Sequence, residues 1–509
     1  MNHFRLTVLI GGVTSLTRVL GFLRDVLLAA LLGAGPVADA FFVALRIPNL
    51  VRRLMGEGGW TGAYVPIATR IMNEKDGSRE HALVRDSLFY VSFLTIIAVI
   101  LSEVFALEII RILAPGLSQD RFDLAVLYFR ALAPLIFGAT LTSLLSAILI
   151  SQKRFTLQAI VPVFVNAALV LLLIYFNVFS SPNYSTVGLI LSLAASAVAF
   201  FQVIVLLVPI ASRIDGSVFK KLSFTHDFKA MILLAAPNFI IQFGSQFGIL
   251  ILLNRASENP GAISYLTYAE RLAQLPFGFI ASGLATIALP EFASRLIKND
   301  RQALHRSIDR VMFLSLALAL PATIALVILA QPVISVLFER GAFGNTDRIE
   351  TAAALSGFVM GLPFAAMARV QTQLYFAYER VRIPLVSALL SSALIWILVQ
   401  MSFFSQNPFG FAAAFSIGQA FVWALQQAGI TGVSGWVPRH EFRVKIFKIL
   451  FATGLLAVAL LLVRNAMLPL LISDQLAYLR WGGLALLCIG GFGLYALMMH
   501  FLGLLRDFR

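Results

Sequence analysis

The sequence is poor in charged residues and in cysteine, and both shortages narrow its class. Only 13% of its 509 residues are charged, whereas soluble globular chains carry about 25%. Its one cysteine, Cys488, excludes an internal disulfide framework and a cysteine-based metal cluster. Since 59% of the residues are hydrophobic, we predict a polytopic membrane protein.

Motifs that would support enzymatic chemistry are also missing. The six histidines lie in loops or near the ends of apolar segments, so no histidine relay or histidine metal site is predicted within the bilayer. No paired-carboxylate metal motif, Ser/His/Asp set or phosphate-cradling glycine loop is found, and "GEGG" (56–59) is too short to bind a nucleotide. We therefore expect no metal, no cofactor and no use of ATP. The candidate energy sources are membrane potential, an ion gradient or removal of the product outside.

Long apolar runs dominate the chain instead. A membrane-spanning helix needs about 20 mostly apolar residues, and about fourteen segments satisfy that rule. The first is not read as a signal peptide, because it contains Arg18, Arg24 and Asp25. The predicted spans are 6–33, 37–66, 87–113, 122–151, 157–178, 185–211, 229–255, 261–294, 311–338, 347–378, 383–404, 408–435, 446–467 and 480–504.

Lysine and arginine are distributed unevenly among the predicted loops. If the N-terminus lies inside, the inner loops carry most of these residues and the outer loops carry few. Both termini are therefore predicted to be cytoplasmic. The net charge of +14 is explained by anchoring to the inner leaflet, so no nucleic-acid partner is expected.

The sequence also repeats itself at a spacing of about 225 residues. The alternative to an internal duplication is chance similarity between apolar stretches, but several matched pairs share the same spacing. Because each copy would hold six spans, the two copies would have the same topology, as in transporters that work by alternating access. The matched pairs are "AYVPIATR" (63–70) with "IALPEFASR" (287–295), "RILAPG" (111–116) with "SVLFERG" (335–341), and "SQKRFTLQAIVP" (151–162) with "AYERVRIPLVSA" (377–388).

This repeat predicts two pseudo-symmetric six-helix lobes in an all-α membrane protein. The N-terminal lobe covers 1–212 and the C-terminal lobe covers 229–435. A cytoplasmic linker, 213–228, separates them. Residues 446–504 lie outside the repeat and are predicted to form an extra two-helix hairpin.

Arginine supplies the positive charge in the interior of the predicted spans. Its planar fork of donors matches phosphate and carboxylate, whereas lysine is a hydrated point charge. Acidic partners are fewer, namely Asp25, Asp39, Glu57 and Glu270, with Glu103 and Glu108 near a span end. The excess predicts a cavity for an anionic, phosphorylated substrate. The arginines are Arg18, Arg24, Arg46, Arg52, Arg53, Arg130, Arg255, Arg271 and Arg369.

Helical spacing places several of these charges on common faces. Pro48 and the "GEGG" segment interrupt the second span, and a broken helix at membrane depth is tolerated where it lines a cavity. The alternative is structural, with salt bridges such as Asp25–Arg18 or Glu270–Arg271 joining neighbouring helices. The predicted faces are Thr14, Arg18, Gly21 and Asp25; Asp39, Arg46, Arg53 and Glu57; and Ser264, Tyr268, Arg271 and Leu275.

Four segments resemble the MurJ/MviN family of bacterial lipid II flippases, in the multidrug/oligosaccharidyl-lipid/polysaccharide exporter superfamily. They are "RVLGFLRD" (18–25), "ADAFFVALRIPNLVRRLMGEG" (38–58), "YAERLAQLPFG" (268–278) and "LFERGAF" (337–343). The resemblance implies alternating-access transfer of lipid II, an undecaprenyl-pyrophosphate-linked peptidoglycan precursor, to the outer leaflet of the bacterial cytoplasmic (inner) membrane. It also implies a lipid-tail groove in the hairpin and peptidoglycan synthesis enzymes as candidate partners.

The same resemblance assigns roles to particular residues. In some members, acidic residues in the seventh and eleventh helices form a sodium site, but spans 229–255 and 383–404 contain no Asp or Glu, so sodium coupling is not expected. From the motif match and the shared faces, we expect substrate binding by Arg18, Arg24, Asp25, Arg52, Arg53, Ser264 and Arg271, and gating or orientation by Asp39, Arg46, Glu57 and Glu270.

Four other functions remain open at the level of sequence. An exporter of another anionic lipid-linked oligosaccharide would use the same arginines, whereas a drug or cation exporter predicts an acidic cavity. A membrane enzyme acting on prenyl phosphates predicts clusters of acids or histidines at the membrane face. A scaffold for cell-wall enzymes would not depend on the arginines at all.

Overall fold

The computed structural model describes residues 3–56, 59–179, 183–211, 224–472 and 477–505. Within these ranges the chain forms twenty α-helices and no β-strand. Ten described segments are long and apolar enough to cross a membrane. The predicted all-α membrane class is therefore confirmed, while the number of crossings, about fourteen, stays a prediction.

The chain divides into two compact units, Met1–Gln246 and Phe247–Arg509. The boundary falls inside the tenth helix, so the N-terminal part of that helix belongs to the first unit. The first unit contains α1 (His3–Leu32), α2 (Pro36–Gly56), α3 (Gly59–Glu74), α4 (Gly77–Val104), α5 (Ala106–Leu113), α6 (Gln119–Leu132), α7 (Pro134–Ser151), α8 (Phe155–Phe179), α9 (Tyr184–Ala211) and the start of α10 (His226–Ala256).

The second unit contains the remainder of α10 and ten further helices. Its last two helices correspond to the predicted extra hairpin. The helices are α11 (Ala262–Ile297), α12 (Arg301–Ile328), α13 (Ala330–Phe338), α14 (Asn345–Val359), α15 (Leu362–Ala377), α16 (Arg382–Gln400), α17 (Ser402–Ser405), α18 (Pro408–Ser434), α19 (His440–Ile472) and α20 (Ala477–Phe501).

Several predicted spans are each divided into two helices, and proline explains most of these divisions. Pro134, Pro332 and Pro363 each lie within the first three residues of the helix that follows a break. Proline has no N–H and its ring clashes with the carbonyl four residues earlier. For Pro363 that carbonyl belongs to Val359, and it accepts a hydrogen bond from the Thr323 hydroxyl at 3.2 Å. The break between α4 and α5 contains no proline.

Both units repeat the same turn at the spacing found in the sequence. Asp76 caps α4 and Asp300 caps α12, each accepting the backbone N–H of the third helical residue, at 3.1 and 2.9 Å. The residues before them, Lys75 and Asn299, have φ of 57° and 53° in the left-handed region. Each pair is separated by 224 positions (300 minus 76, and 299 minus 75). The duplication therefore extends to backbone detail, although the domain boundaries drawn from sequence stay a prediction.

The hairpin of α19 and α20 packs on α12 and α13 within the second unit. The Tyr495 hydroxyl donates to the Ala317 carbonyl at 2.8 Å. The Arg480 guanidinium donates to the Ser335 carbonyl at 2.9 Å and lies 3.6 Å from the Glu339 carboxylate. Polar contacts at two separate points therefore fix the hairpin on this unit.

Candidate functional site

Arg24 and Asp25, adjacent on α1, form an ion pair that Asn166 of α8 extends. The Arg24 Nε and Nη2 atoms donate to Asp25 Oδ1 at 3.0 and 2.9 Å. Arg24 Nη1 donates to Asn166 Oδ1 at 3.3 Å. The Asn166 amide in turn donates to the carbonyl oxygens of Thr17 and Pro162 at 3.4 and 3.2 Å. Two helices therefore hold the guanidinium in one orientation.

The Arg24 side chain remains reachable from solvent in this arrangement. It is 32% exposed, whereas the Asp25 side chain is 12% exposed. An arginine carries five N–H donors and stays protonated, and three of its N–H groups are used in these contacts. Arg24 therefore keeps donors for an oxyanion while Asp25 and Asn166 hold it in place. Arg24 is thus one ion-pair partner of Asp25, and the Asp25–Arg18 salt bridge considered from sequence stays a prediction.

Arg52 and Arg53 lie near the C-terminal end of α2 and differ in exposure. The exposed Arg52 donates from Nε to Asn49 Oδ1 at 3.3 Å, one turn earlier on the same helix. The partly buried Arg53 donates from Nη1 to Gln246 Oε1 on α10 at 3.2 Å. Neutral side-chain amides therefore help to orient both arginines.

Asp39, predicted to gate or orient, is buried inside the first unit against Arg121. Their side chains are 0% and 6% exposed. Arg121 Nη1 donates to Asp39 Oδ2 at 3.2 Å, and Arg121 Nε donates to Ser118 Oγ at 3.0 Å. A buried carboxylate needs such a partner, because an unpaired charge there is strongly destabilising. The contact joins α2 to α6 and favours the structural salt-bridge alternative for Asp39.

The other predicted positions of the first unit are Arg18, Arg46 and Glu57. Arg18 is exposed on α1, and Arg46 is partly buried on α2. Glu57 lies outside the described residues. The binding role of Arg18 and the gating or orienting roles of Arg46 and Glu57 stay predictions.

In the second unit, α11 carries the remaining predicted residues. Ser264 is fully buried, and Glu270 and Arg271 are partly buried. Gln274 donates from Nε2 to Glu270 Oε1 at 2.6 Å, one turn along the same helix. This contact helps to fix the Glu270 carboxylate, and the orienting role of Glu270 stays a prediction.

Tyr268 has a packing role that accounts for another sequence motif. Its fully buried ring lies 5.5 Å from the ring of Phe338 and 5.7 Å from that of Phe343, measured between centroids. Both phenylalanines belong to "LFERGAF" (337–343). This motif therefore packs against α11, and aromatic pairs at such distances stabilise a core.

Sequence reasoning missed Asn166, Gln246 and Arg121. They lie 142, 193 and 82 positions from the residues they contact. A signal existed for Asn166, because a lone amide in the apolar run of α8 must find a hydrogen-bond partner. Arg121 gives no such signal, since it lies just before the predicted span 122–151, where a charged side chain is ordinary.

Two solved structures share this fold over most of the chain. "Lipid II flippase MurJ, inward closed conformation" matches with a TM-score of 0.78 and 23% identity, over 97% of this chain and 98% of that one. "Inward-facing conformation of a multidrug resistance MATE family transporter of the MOP superfamily" matches with a TM-score of 0.69 and 15% identity, over 84% and 98%. The chain therefore has the fold of a multi-pass membrane transporter.

Similarity of sequence narrows this class to one family. The family described as "Lipid II flippase MurJ" matches residues 28–479. "Probable lipid II flippase MurJ" of Rhizobium meliloti (strain 1021) is 31% identical over 456 residues, which cover 89% of this chain and 85% of that protein. The chain belongs to the lipid II flippase MurJ family. The predicted family is confirmed, and the chain is a transporter rather than an enzyme.

Proposed function

We propose that this chain moves lipid II from the inner to the outer leaflet of the bacterial cytoplasmic membrane. The family match over residues 28–479 is the observation that carries the proposal. Several arginines of the predicted spans are partly buried and support it, because a charge at the bilayer centre costs at least about 2.5–3.5 kcal/mol and so marks function. They are Arg24, Arg46, Arg53, Arg255 and Arg271. Lipid II offers a pyrophosphate, and arginine binds phosphate oxygens through paired donors.

Arg24 is the best-supported contact for the pyrophosphate. Asp25 and Asn166 fix its orientation before a ligand arrives, so less conformational entropy is lost on binding. Arg52 and Arg271 would share the pyrophosphate with it, and Arg18 and Arg53 would support them. The proposed substrate-binding set is Arg18, Arg24, Asp25, Arg52, Arg53, Ser264 and Arg271.

A second set is proposed to orient the arginines or close the transport path. It comprises Asp39, Arg46, Glu57 and Glu270. The Gln274 amide bonded to Glu270 supports an orienting role there. For Asp39, the buried pair with Arg121 supports a role in holding α2 against α6.

The cellular setting of the transporter follows from the same proposal. Both termini would face the cytoplasm, as the distribution of lysine and arginine predicts. Transport would need no bound cofactor and no ATP, and would draw on membrane potential or an ion gradient. Enzymes of peptidoglycan synthesis, which use lipid II at the outer leaflet, are the proposed protein partners.

Replacement in living cells tests the proposal. A bacterium depleted of its own lipid II flippase should grow when it produces this chain, and its lipid II should become accessible at the outer surface. If lipid II instead accumulates intact on the inner side, the proposed substrate is wrong. If total lipid II rises with production of the chain while none reaches the outer surface, a synthetic enzyme is the better explanation.

A further inference from the structure

A polar cavity of about 390 Å³ lies at one end of the second unit. Its walls come from the C-terminal ends of α11 and α18, the N-terminal end of α12 and the residue after α15. Arg295, Arg301, Tyr378 and Thr431 are among the lining residues. Small-molecule sites in proteins fall between about 300 and 1,000 Å³, so a headgroup-sized ligand fits.

The charge around this cavity is mainly positive. Arg295 and Arg301 line it, and Arg380 lies close enough to Tyr378 to affect that residue electrostatically. Asp300 is the sole acid among the lining residues, all of which are described, and its carboxylate already accepts the Ala303 N–H at 2.9 Å. The cavity therefore favours an anion.

Arg295 lines the cavity. Within the described part of the chain its guanidinium forms no salt bridge, whereas Arg70, near the end of α3 in the first unit, lies 3.2 Å from the Asp227 carboxylate. Arg295 can therefore bind an anion in the cavity.

The depth of the cavity indicates the chemical class of that ligand. Three apolar segments end beside it: Arg301–Ile328 begins there, and Asn345–Ala377 and Pro408–Ser434 finish there. The cavity is therefore at the level where a bilayer changes from hydrocarbon to headgroups. Phosphate groups are the main anions at that level, and paired arginine donors suit their oxygens.

We propose that this cavity binds a phosphate group, presented by an anionic phospholipid headgroup or by soluble phosphate, through Arg295, Arg301 and the Tyr378 hydroxyl. Burial raises the pKa of Tyr378, although Arg301 and Arg380 oppose that rise. The phenol is therefore protonated at neutral pH and can donate to a phosphate oxygen. The site is built from residues of the second unit, and it does not depend on the proposed transport of lipid II.

Two binding measurements distinguish a phospholipid headgroup from soluble phosphate as the source of the bound phosphate group. Native mass spectrometry of the full chain would count phosphatidylglycerol that survives delipidation, with phosphatidylcholine as the neutral comparison. Calorimetry would measure inorganic phosphate binding in detergent. We expect phosphatidylglycerol to be retained if the source is a lipid, and phosphate to bind in detergent if the source is soluble. Binding of neither probe overturns the proposal.

Matched variants locate the site. The double variant Arg295→Gln, Arg301→Gln should weaken binding of the active probe by about 10-fold or more, since hydrogen bonds to charged groups are the stronger class. Arg443→Gln, which removes an exposed arginine outside the cavity, should change nothing. Equal binding by the double variant and the wild type overturns the proposal.

A single, more conservative variant tests the site even if the double variant does not fold. Tyr378→Phe removes only the hydroxyl and should weaken binding of the same probe by about threefold, the scale of one neutral hydrogen bond. Unchanged affinity in Tyr378→Phe contradicts the assigned contact.

Discussion

Arg24 is held in a defined orientation by side chains of two helices. Its three hydrogen bonds hold the guanidinium plane, and about a third of the side chain stays exposed. A lysine at this position would keep the charge but lose the fork of donors. The planar shape of the Arg24 guanidinium, as well as its charge, should therefore matter for ligand binding.

Arg24→Lys should bind lipid II about 10-fold more weakly than the wild type. The loss of one charge-assisted hydrogen bond, about 1.5–3 kcal/mol, predicts a factor of at least this size. Binding can be measured by microscale thermophoresis with lipid II in detergent. Arg443→Lys, an exchange on an exposed side chain, is the control and should bind normally. Wild-type affinity in Arg24→Lys would remove Arg24 from the proposed contact.

Asp39 and Arg121 make a different residue-scale prediction, because their pair is buried. Asp39→Asn should lower the free energy of unfolding of the first unit by about 3–5 kcal/mol, since Arg121 would be left as an uncompensated buried charge. Thermal unfolding in detergent would show this. If the double variant Asp39→Asn, Arg121→Gln is no more stable than Asp39→Asn alone, the pair does not carry the effect.

At the scale of elements, the start of α10 is held against α3 and α4 by acidic side chains. The Asp227 carboxylate accepts hydrogen bonds from Arg79 at 2.9 and 3.1 Å and from Arg70 at 3.2 Å. Asp86 of α4 accepts the Thr225 N–H at 3.2 Å. These contacts join helices that are distant in sequence, and they form at the end of α10 that the predicted topology places in the cytoplasm.

The contact of the Asp227 carboxylate with Arg79 should stabilise the chain less as the pH falls. The hydrogen bonds from Arg79 hold the pKa of Asp227 below its ordinary value of 3.8. Its contribution to stability is therefore complete well above pH 3.8 and is lost as pH falls through the lowered folded-state pKa. The melting temperature of Asp227→Asn should be lower than that of the wild type at pH 7, and the gap should narrow below about pH 3.8. A gap that widens in acid would contradict this assignment.

The contact between α7 and α9 predicts the effect of adding one methyl group. A Cβ on Gly138 would lie 2.5 Å from the Ala199 Cβ and 3.0 Å from its backbone carbonyl carbon. Gly138→Ala should therefore destabilise the chain by about 1–3 kcal/mol, the usual cost of overpacking, as measured by thermal unfolding. Gly454→Ala on α19, with nothing within 4 Å of the new atom, is the matched control and should not destabilise. Equal stability of the two variants would argue against close packing at Gly138.

At the scale of the whole molecule, apolar length predicts most of the helices. The first predicted span, 6–33, corresponds to α1, and the last, 480–504, to α20. Length alone cannot show that 122–151 is divided into two helices at Pro134, although the proline is present in the sequence. The capped turns at Asp76 and Asp300 add local geometry to a repeat that sequence spacing alone had suggested.

The candidate site is less predictable, because its side chains depend on distant partners. Helical spacing groups Arg18 with Asp25, yet the contact that orients Arg24 comes from Asn166 on another helix. Asp39 looks functional in sequence because acids in apolar runs are costly, yet its partner Arg121 makes it part of the packing. Periodicity predicts the face of a helix, and only the tertiary structure identifies the element opposite that face.

Translocation of lipid II by the purified chain tests the central claim most directly. Proteoliposomes would carry fluorescent lipid II in both leaflets, and an impermeant quencher would report the fraction that changes leaflet. The wild-type chain should make nearly all of the lipid II accessible, whereas Arg24→Lys should slow that change about 10-fold. Transfer by the wild-type chain no faster than in protein-free vesicles would contradict the account.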